Sequence, residues 1–129
     1  MFDKYLIVEK SLRRTGNGFA FDARLGYYRG LGLSMIEALD VTVDGDTVPR
    51  DAVRFDEGRG ELTLVEMEQA YERRWPFGAI ATISVERPGG LSVGKHQLTL
   101  KEVLRVSYLP FPLIAEDSKV LSVAPEPSA

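Results

Sequence analysis

Phe19-Ala20-Phe21-Asp22-Ala23-Arg24-Leu25 carries the period of a half-buried β-strand. Phe19, Phe21, Ala23 and Leu25 fall on one face and Asp22 and Arg24 on the other, because successive side chains of an extended chain point to opposite sides. The same period returns at Leu39, Val41 and Val43, against Asp40, Thr42 and Asp44. Asp44-Gly45 follows at once and offers a two-residue hairpin turn, since a type I′ turn needs positive φ at both central positions. Its partner strand is expected over residues 47–55, with Pro49 as a candidate break. Ala81, Ile83 and Val85 alternate with Thr82, Ser84 and Glu86, and Pro88-Gly89-Gly90 closes that run as a turn. Residues 96–108 make the longest candidate strand. Leu98, Leu100, Leu104, Val106 and Tyr108 share its apolar face, with Glu102 as the exception. A charge there points to a bulge, an edge or a site beside a partner. Residues 119–123 read as a last short strand, and residues 124–129 as a loose tail.

One segment departs from the period of two. Leu64, Met67, Tyr71 and Trp75 recur at three- and four-residue steps, which is helical spacing. Thr63 with Glu66 is a capping-box signature, and Pro76 disfavours helix at Trp75. A short helix over residues 64–74 lying on a sheet is expected. There is no internal repeat and no sign of a second domain. The expected fold is all-β: a single-domain β-sandwich of mostly antiparallel strands with one short helix, spanning residues 1–123.

Composition narrows the chemistry. The 129 residues suit one domain with a real core, and 44% of them are hydrophobic. With no Cys, a disulfide framework, a Cys-ligated zinc site and a thiol nucleophile are excluded. The single His excludes a site built on two imidazoles. A net charge of −3 argues against nucleic-acid binding. The longest stretch without a charge is residues 75–85, well short of the ~20 apolar residues that span a bilayer. Without a signal-type h-region near the start, a cytoplasmic protein that binds no membrane is expected.

Catalytic candidates are weak. A Ser-His-Asp triad would have to use His96, with Ser92 near it in a Gly-flanked loop, but there is no GxSxG elbow. His96 reads better as a strand-end residue beside a turn. Nothing in the spacing selects a carboxylate pair among the 19 Asp and Glu. Asp44, Asp46 and Asp51 lack the alternating ligands and terminal Glu of a calcium loop. Gly26-Tyr27-Tyr28-Arg29-Gly30-Leu31-Gly32 matches no phosphate-binding pattern. It sets two Tyr and an Arg on a loop after a strand, residue types enriched at interface hot spots. Packing over the end of the sandwich is an equal use for those rings. Arg73-Arg74-Trp75 makes a second such cluster. Tyr108-Leu109-Pro110-Phe111-Pro112-Leu113-Ile114 makes a third, which its prolines keep out of a central ladder.

Taken as an ordered set, the chain resembles the small β subunit of the bacterial C-glycoside deglycosidases. The segments that carry the resemblance begin with Gly18-Phe19-Ala20-Phe21-Asp22-Ala23-Arg24-Leu25, Tyr27-Tyr28-Arg29-Gly30 and Leu33-Ser34-Met35-Ile36-Glu37. Val43-Asp44-Gly45, Arg74-Trp75-Pro76-Phe77-Gly78, Pro88-Gly89-Gly90-Leu91 and Tyr108-Leu109-Pro110-Phe111-Pro112 follow in order. The resemblance implies a two-subunit carbon–carbon lyase. A larger α subunit, similar to sugar isomerases of TIM-barrel fold, would carry a divalent metal, expected to be manganese. The substrate would be a C-glycoside, such as that of a flavonoid, oxidised to a ketone at the sugar 3-position. This chain is then expected to be an accessory β-sandwich with no catalytic, cofactor or metal residue of its own, within a larger hetero-oligomer. Their aromatic, Arg and Pro content marks Tyr27, Tyr28, Arg29, Arg74, Trp75, Pro110, Phe111 and Pro112 as the expected interface with the α subunit. Two other readings stand beside it. One is a free-standing carbohydrate- or aglycone-binding sandwich that stacks rings on Trp75, Tyr71 and Tyr108. The other is an independent hydrolase using His96 or a carboxylate pair.

Overall fold

The computed structural model describes residues 6–16, 18–27, 29–88, 90–107 and 109–123. In chain order its strands are β1 (Arg13–Arg14), β2 (Gly18–Ala23), β3 (Leu31–Gly32), β4 (Ile36–Val43), β5 (Asp46–Thr47), β6 (Val53–Asp56), β7 (Leu62–Thr63), β8 (Arg74–Trp75), β9 (Ala81–Glu86), β10 (Gly94–Leu104) and β11 (Leu113–Val123). The helix α1 (Leu64–Met67) lies between β7 and β8. The alternating stretch that opens the sequence becomes β2, with Phe19, Phe21 and Ala23 turned inward. It pairs with β9, which pairs in turn with β6, so that Phe21, Ile83 and Phe55 line up across three strands. β1 and β7 flank them to make a five-stranded sheet in the order β1-β2-β9-β6-β7. A second sheet runs β11-β10-β4-β5, and β3 with β8 forms a two-stranded ribbon. Every pairing is antiparallel.

One apolar cluster takes its members from both large sheets. Phe19, Phe21, Val53, Phe55, Ile83 and Val85 meet Leu39, Val41, Val43, Leu98, Leu100 and Leu104 there. Two sheets that each bury one face against the other make the sandwich that the alternation implies. The Asp44-Gly45 turn forms as expected, with φ of 51° and 86°. Only β5 answers β4 across it, because the chain leaves at Pro49 and enters the other sheet as β6.

Two expectations need correction, and one is narrowed. The helix stops at Met67, one turn long, and does not run to residue 74. Its capping box is in place: Thr63 Oγ1 accepts from the Glu66 N–H at 3.0 Å and Glu66 Oε1 from the Thr63 N–H at 2.8 Å. Beyond Met67 the bonds tighten to three-residue steps, and Arg74 and Trp75 join β3 instead. Strand pairing and the burial of Trp75 outweigh the local helical spacing. The last strand is eleven residues long, not five, because it follows β10 along its whole length. Glu102 stands on no edge, since β10 lies between β11 and β4; a bulge does follow it, between Val103 and Leu104. Among the described residues no helix is long and apolar enough to cross a membrane. Residues 124–129, expected as a tail, lie outside the described residues.

Candidate functional site

Glu102 is wholly buried on the inner face of β10, where its Oε1 accepts the Gly26 N–H at 2.7 Å. That bond pins the start of the aromatic loop to the sheet. Gly is required at position 26, because a Cβ there would stand 2.6 Å from the Ala115 Cβ and 3.2 Å from Glu102 Oε1. The chain then turns, with the Gly30 N–H on the Tyr27 carbonyl at 3.2 Å, and enters β3. In the ribbon Leu31 faces Trp75 and Gly32 faces Arg74. Pairing of β3 with β8 therefore joins the first two Tyr/Arg clusters of the sequence.

The third cluster reaches the same end through β10. Past the bulge the Arg105 N–H donates to the Met35 carbonyl at 2.8 Å and the Leu109 N–H to the Val106 carbonyl at 2.9 Å, which brings Val106 and Ser107 beside the ribbon. Two open grooves result. One, of about 400 Å³, is lined by Tyr27, Arg29, Arg74, Met35, Val106 and Ser107. The other, of about 430 Å³, shares Met35, Val106 and Ser107 and adds Tyr71, Arg105 and Leu109. Arg29 and Arg74 are exposed, as is Arg105, which sits 3.9 Å from Glu37. Tyr71 and Phe111 are exposed apolar rings, 70% and 63% accessible. Pro110 and Pro112 flank Phe111 in the exposed connection to β11. Rings and guanidinium groups around shallow grooves suit a protein surface better than a small-molecule cavity.

Two of the expected contact residues are not at the surface. Trp75 is fully buried, edge-on to Phe55 with ring centroids 5.0 Å apart, and its Nε1–H donates to the Ala79 carbonyl at 2.9 Å. Tyr27 is 6% exposed. Both carry the ribbon and loop from beneath, because a large ring at the mouth of a sandwich gains more from burial than from exposure. Trp75 therefore cannot stack on a sugar, and Tyr28 and Tyr108 lie outside the described residues. Ser107 and Arg105 were not marked in the sequence, and Met35 only within a segment that carries the resemblance. They arrive through the register of β10 on β4 and the bulge at its end.

An Arg fork stiffens the ribbon. Arg73 Nε donates to Glu57 Oε2 at 2.8 Å, and its Nη2 bonds Glu57 Oε1 and, at 2.6 Å, the Gly60 carbonyl. The guanidinium holds the Glu57 carboxyl below its ordinary pKa, and the Glu57 hydrogen bond raises that of Arg73. The Arg73 carbonyl accepts the Leu33 N–H at 2.9 Å, so one residue ties the β6–β7 loop to the ribbon.

His96 sits at the other end of the sandwich, 8% exposed. Nδ1 is 2.5 Å from Asp44 Oδ2, Nε2 is 2.7 Å from the Ser92 carbonyl, and Ser92 Oγ is 3.5 Å away. The three residue types of a triad do meet. Their arrangement defeats the chemistry, because Nε2 faces a carbonyl that accepts its proton and so cannot take one from the Ser92 hydroxyl. Both ring nitrogens face acceptors, which favours the imidazolium. The Asp44 hydrogen bond, then the Ser92 carbonyl, raises the His96 pKa, and the same hydrogen bond lowers that of Asp44. His96 is a strand-end staple, as its position beside the turn implies. The other acids are equally occupied or solvated: Asp46 pairs with Arg87 at 3.6 Å, and Asp40, Asp51, Glu66, Glu68 and Glu72 are exposed. Among the described residues no group of His, Cys, Asp and Glu is arranged to hold a metal ion.

The profile of a family described as C-glycoside deglycosidase beta subunit matches residues 2–108. A C-glycoside deglycosidase beta subunit of Eubacterium cellulosolvens is 34% identical over 107 residues, covering 80% of this chain and 72% of that protein. A 3'-dehydrocarminate deglycosidase beta subunit of a Microbacterium species is 37% identical over 111 residues, 85% of this chain and 83% of that one. A C-glycoside deglycosidase beta subunit of Microbacterium trichothecenolyticum is 28% identical over 126 residues, 95% of this chain and 90% of the relative.

Proposed function

Since the chain belongs to the C-glycoside deglycosidase beta subunit family, we propose that it is the small subunit of an enzyme that splits the sugar–aglycone carbon–carbon bond of 3-oxo-C-glycosides by elimination. The ketone acidifies the proton on the neighbouring sugar C2. Loss of that proton forms the C1–C2 double bond as the C1–aryl bond breaks, and the aryl carbon takes up a proton. Such a reaction needs a base, an electrophile at the ketone and a proton donor for the aglycone. We assign these, with a divalent metal, expected to be manganese, to a TIM-barrel α subunit in the same cytoplasmic complex. The β chain supplies the docking face formed by Arg29, Arg74, Arg105, Tyr71 and Phe111, carried on Tyr27 and Trp75. The observation that supports this role is the meeting of Tyr27 and Arg29, Tyr71 and Arg74, and Arg105 and Leu109, from three segments distant in sequence, around two joined grooves.

The test is reconstitution. The chain, a candidate α subunit and their mixture are each assayed on a 3-oxo-C-glycoside. Turnover by the mixture alone is expected. Turnover by this chain alone, or equal turnover by the α subunit without it, overturns the proposal.

A further inference from the structure

Three of the four edges of the large sheets are short. β1, β5 and β7 have two residues each, as is common where a sheet must not template further pairing. The fourth edge is β11, with eleven residues and no Pro. One side of it is taken by β10 from Leu113 to Val123. Among the described residues no backbone hydrogen bond reaches its other side. An open groove of about 660 Å³ runs beside residues 119–122, walled by Glu9, Lys10 and Leu12. Ile114 and Val120 stand out from the exposed face of the strand, 55% and 63% accessible.

The strand is complementary to itself. Antiparallel pairing about a two-fold axis through Ser118 puts Leu113 opposite Val123, so that all eleven residues overlap. Asp117 already pairs with Lys119 of its own strand and accepts the Ile7 N–H at 3.0 Å; that register sets this pair opposite its copy with Asp117 facing Lys119, and Ala115 opposite Leu121, on the inner face. On the outer face Val120 lies opposite Glu116 and diagonal to Ile114 of the other copy, within reach of an apolar contact. Moving the axis to Asp117 or to Lys119 would set like charges against each other on the half-buried inner face. Full overlap and charge matching thus select one register.

We propose that β11 pairs with β11 of a second copy of this chain in this register, joining two four-stranded sheets into one. The inner faces stay aligned, so the two sandwiches share a continuous wall. The axis lies on the β11 edge, and no residue of β11 lines either groove around Arg74 and Arg105.

The chain has no Cys, so an introduced thiol is its only one. Ser118→Cys, oxidised or treated with a short bis-maleimide, should give a covalent dimer, both in the chain alone and in its complex with the α subunit. Ser122→Cys alone should not, because its two copies stand about 27 Å apart at ~3.4 Å per residue. A mixture of Ile114→Cys and Ser122→Cys chains should cross-link. Sedimentation equilibrium should give twice the 14.3 kDa chain mass. Val120→Glu, which places a second carboxylate opposite Glu116, should weaken the dimer at least tenfold. A mass of 14.3 kDa with no more cross-linking of Ser118→Cys than of Ser122→Cys overturns the proposal. So does slowed amide exchange along β11 that appears only when the α subunit is added, because the edge would then belong to that partner.

Discussion

The carboxylate of Glu102 reaches from the middle of β10 to the Gly26 N–H, 2.7 Å away, inside the sandwich. A buried acid on an apolar face thereby fixes the loop that carries Arg29. Glu102→Ala leaves that N–H without its acceptor and should cost about 1–3 kcal/mol. Glu102→Gln keeps an acceptor of similar reach and should cost less. Denaturant titration of both variants checks the order. A loss of α-subunit binding by Glu102→Ala beyond its loss of stability would show that the loop is positioned as well as supported.

The docking face is checked by pull-down and titration with the α subunit. Arg29→Ala, Arg74→Ala and Phe111→Ala should each weaken binding, with at least one of them a hot spot at about tenfold or more. Unchanged binding in all three would move the interface elsewhere.

The staple between His96 and Asp44 makes stability depend on pH in a defined direction. The His96 pKa is raised in the folded chain, so its contribution is complete below about 6.5 and is lost as pH rises through the folded value. The Asp44 pKa is lowered, so its contribution is present above about 3.9 and is lost as pH falls through the folded value. Together they favour mildly acidic pH. Replacing His96 with Gln should lower Tm at pH 5–6 and change it little at pH 9. The same variant should leave turnover of the assembled enzyme nearly intact.

Arg73 and Glu57 form a fork whose side chains are only 16% and 5% exposed. Arg73→Ala should cost about 1.5–3 kcal/mol, as for hydrogen bonds to charged groups with one partner removed. Arg73→Lys should recover only part of this, since an ammonium cannot reproduce the two parallel bonds. Urea titration with matched m-values separates the two.

Trp75→Ala should destabilise by about 3–5 kcal/mol through loss of a buried ring. Trp75→Phe should be milder, leaving the Ala79 carbonyl without its indole donor. If Trp75→Phe keeps the fold but abolishes α-subunit binding, the ring acts on the surface and not beneath it.

The strands were legible because a half-buried sheet writes its burial into every second residue, as at Phe19, Phe21 and Ala23. The turn at Asp44-Gly45 was legible because few residues tolerate positive φ twice in succession. The end of α1 was not, because Leu64, Met67, Tyr71 and Trp75 keep helical spacing while the chain that carries them changes from helix to ribbon. Residue type marked Arg29, Arg74 and Phe111 as contact residues, and equally marked Trp75, which turns inward.

By itself, then, the amino-acid order determined an all-β chain, its principal strands, the hairpin turn and the helix cap, since each depends on neighbours a few residues apart. It also contained the charge order of β11. Only the tertiary structure decided that β11 is an open edge, that Glu102 holds Gly26, that His96 faces two acceptors, and that three distant loops share two grooves. Those relations join residues far apart in sequence, and they follow from the pairing of strands and the packing of two sheets, which no local period encodes.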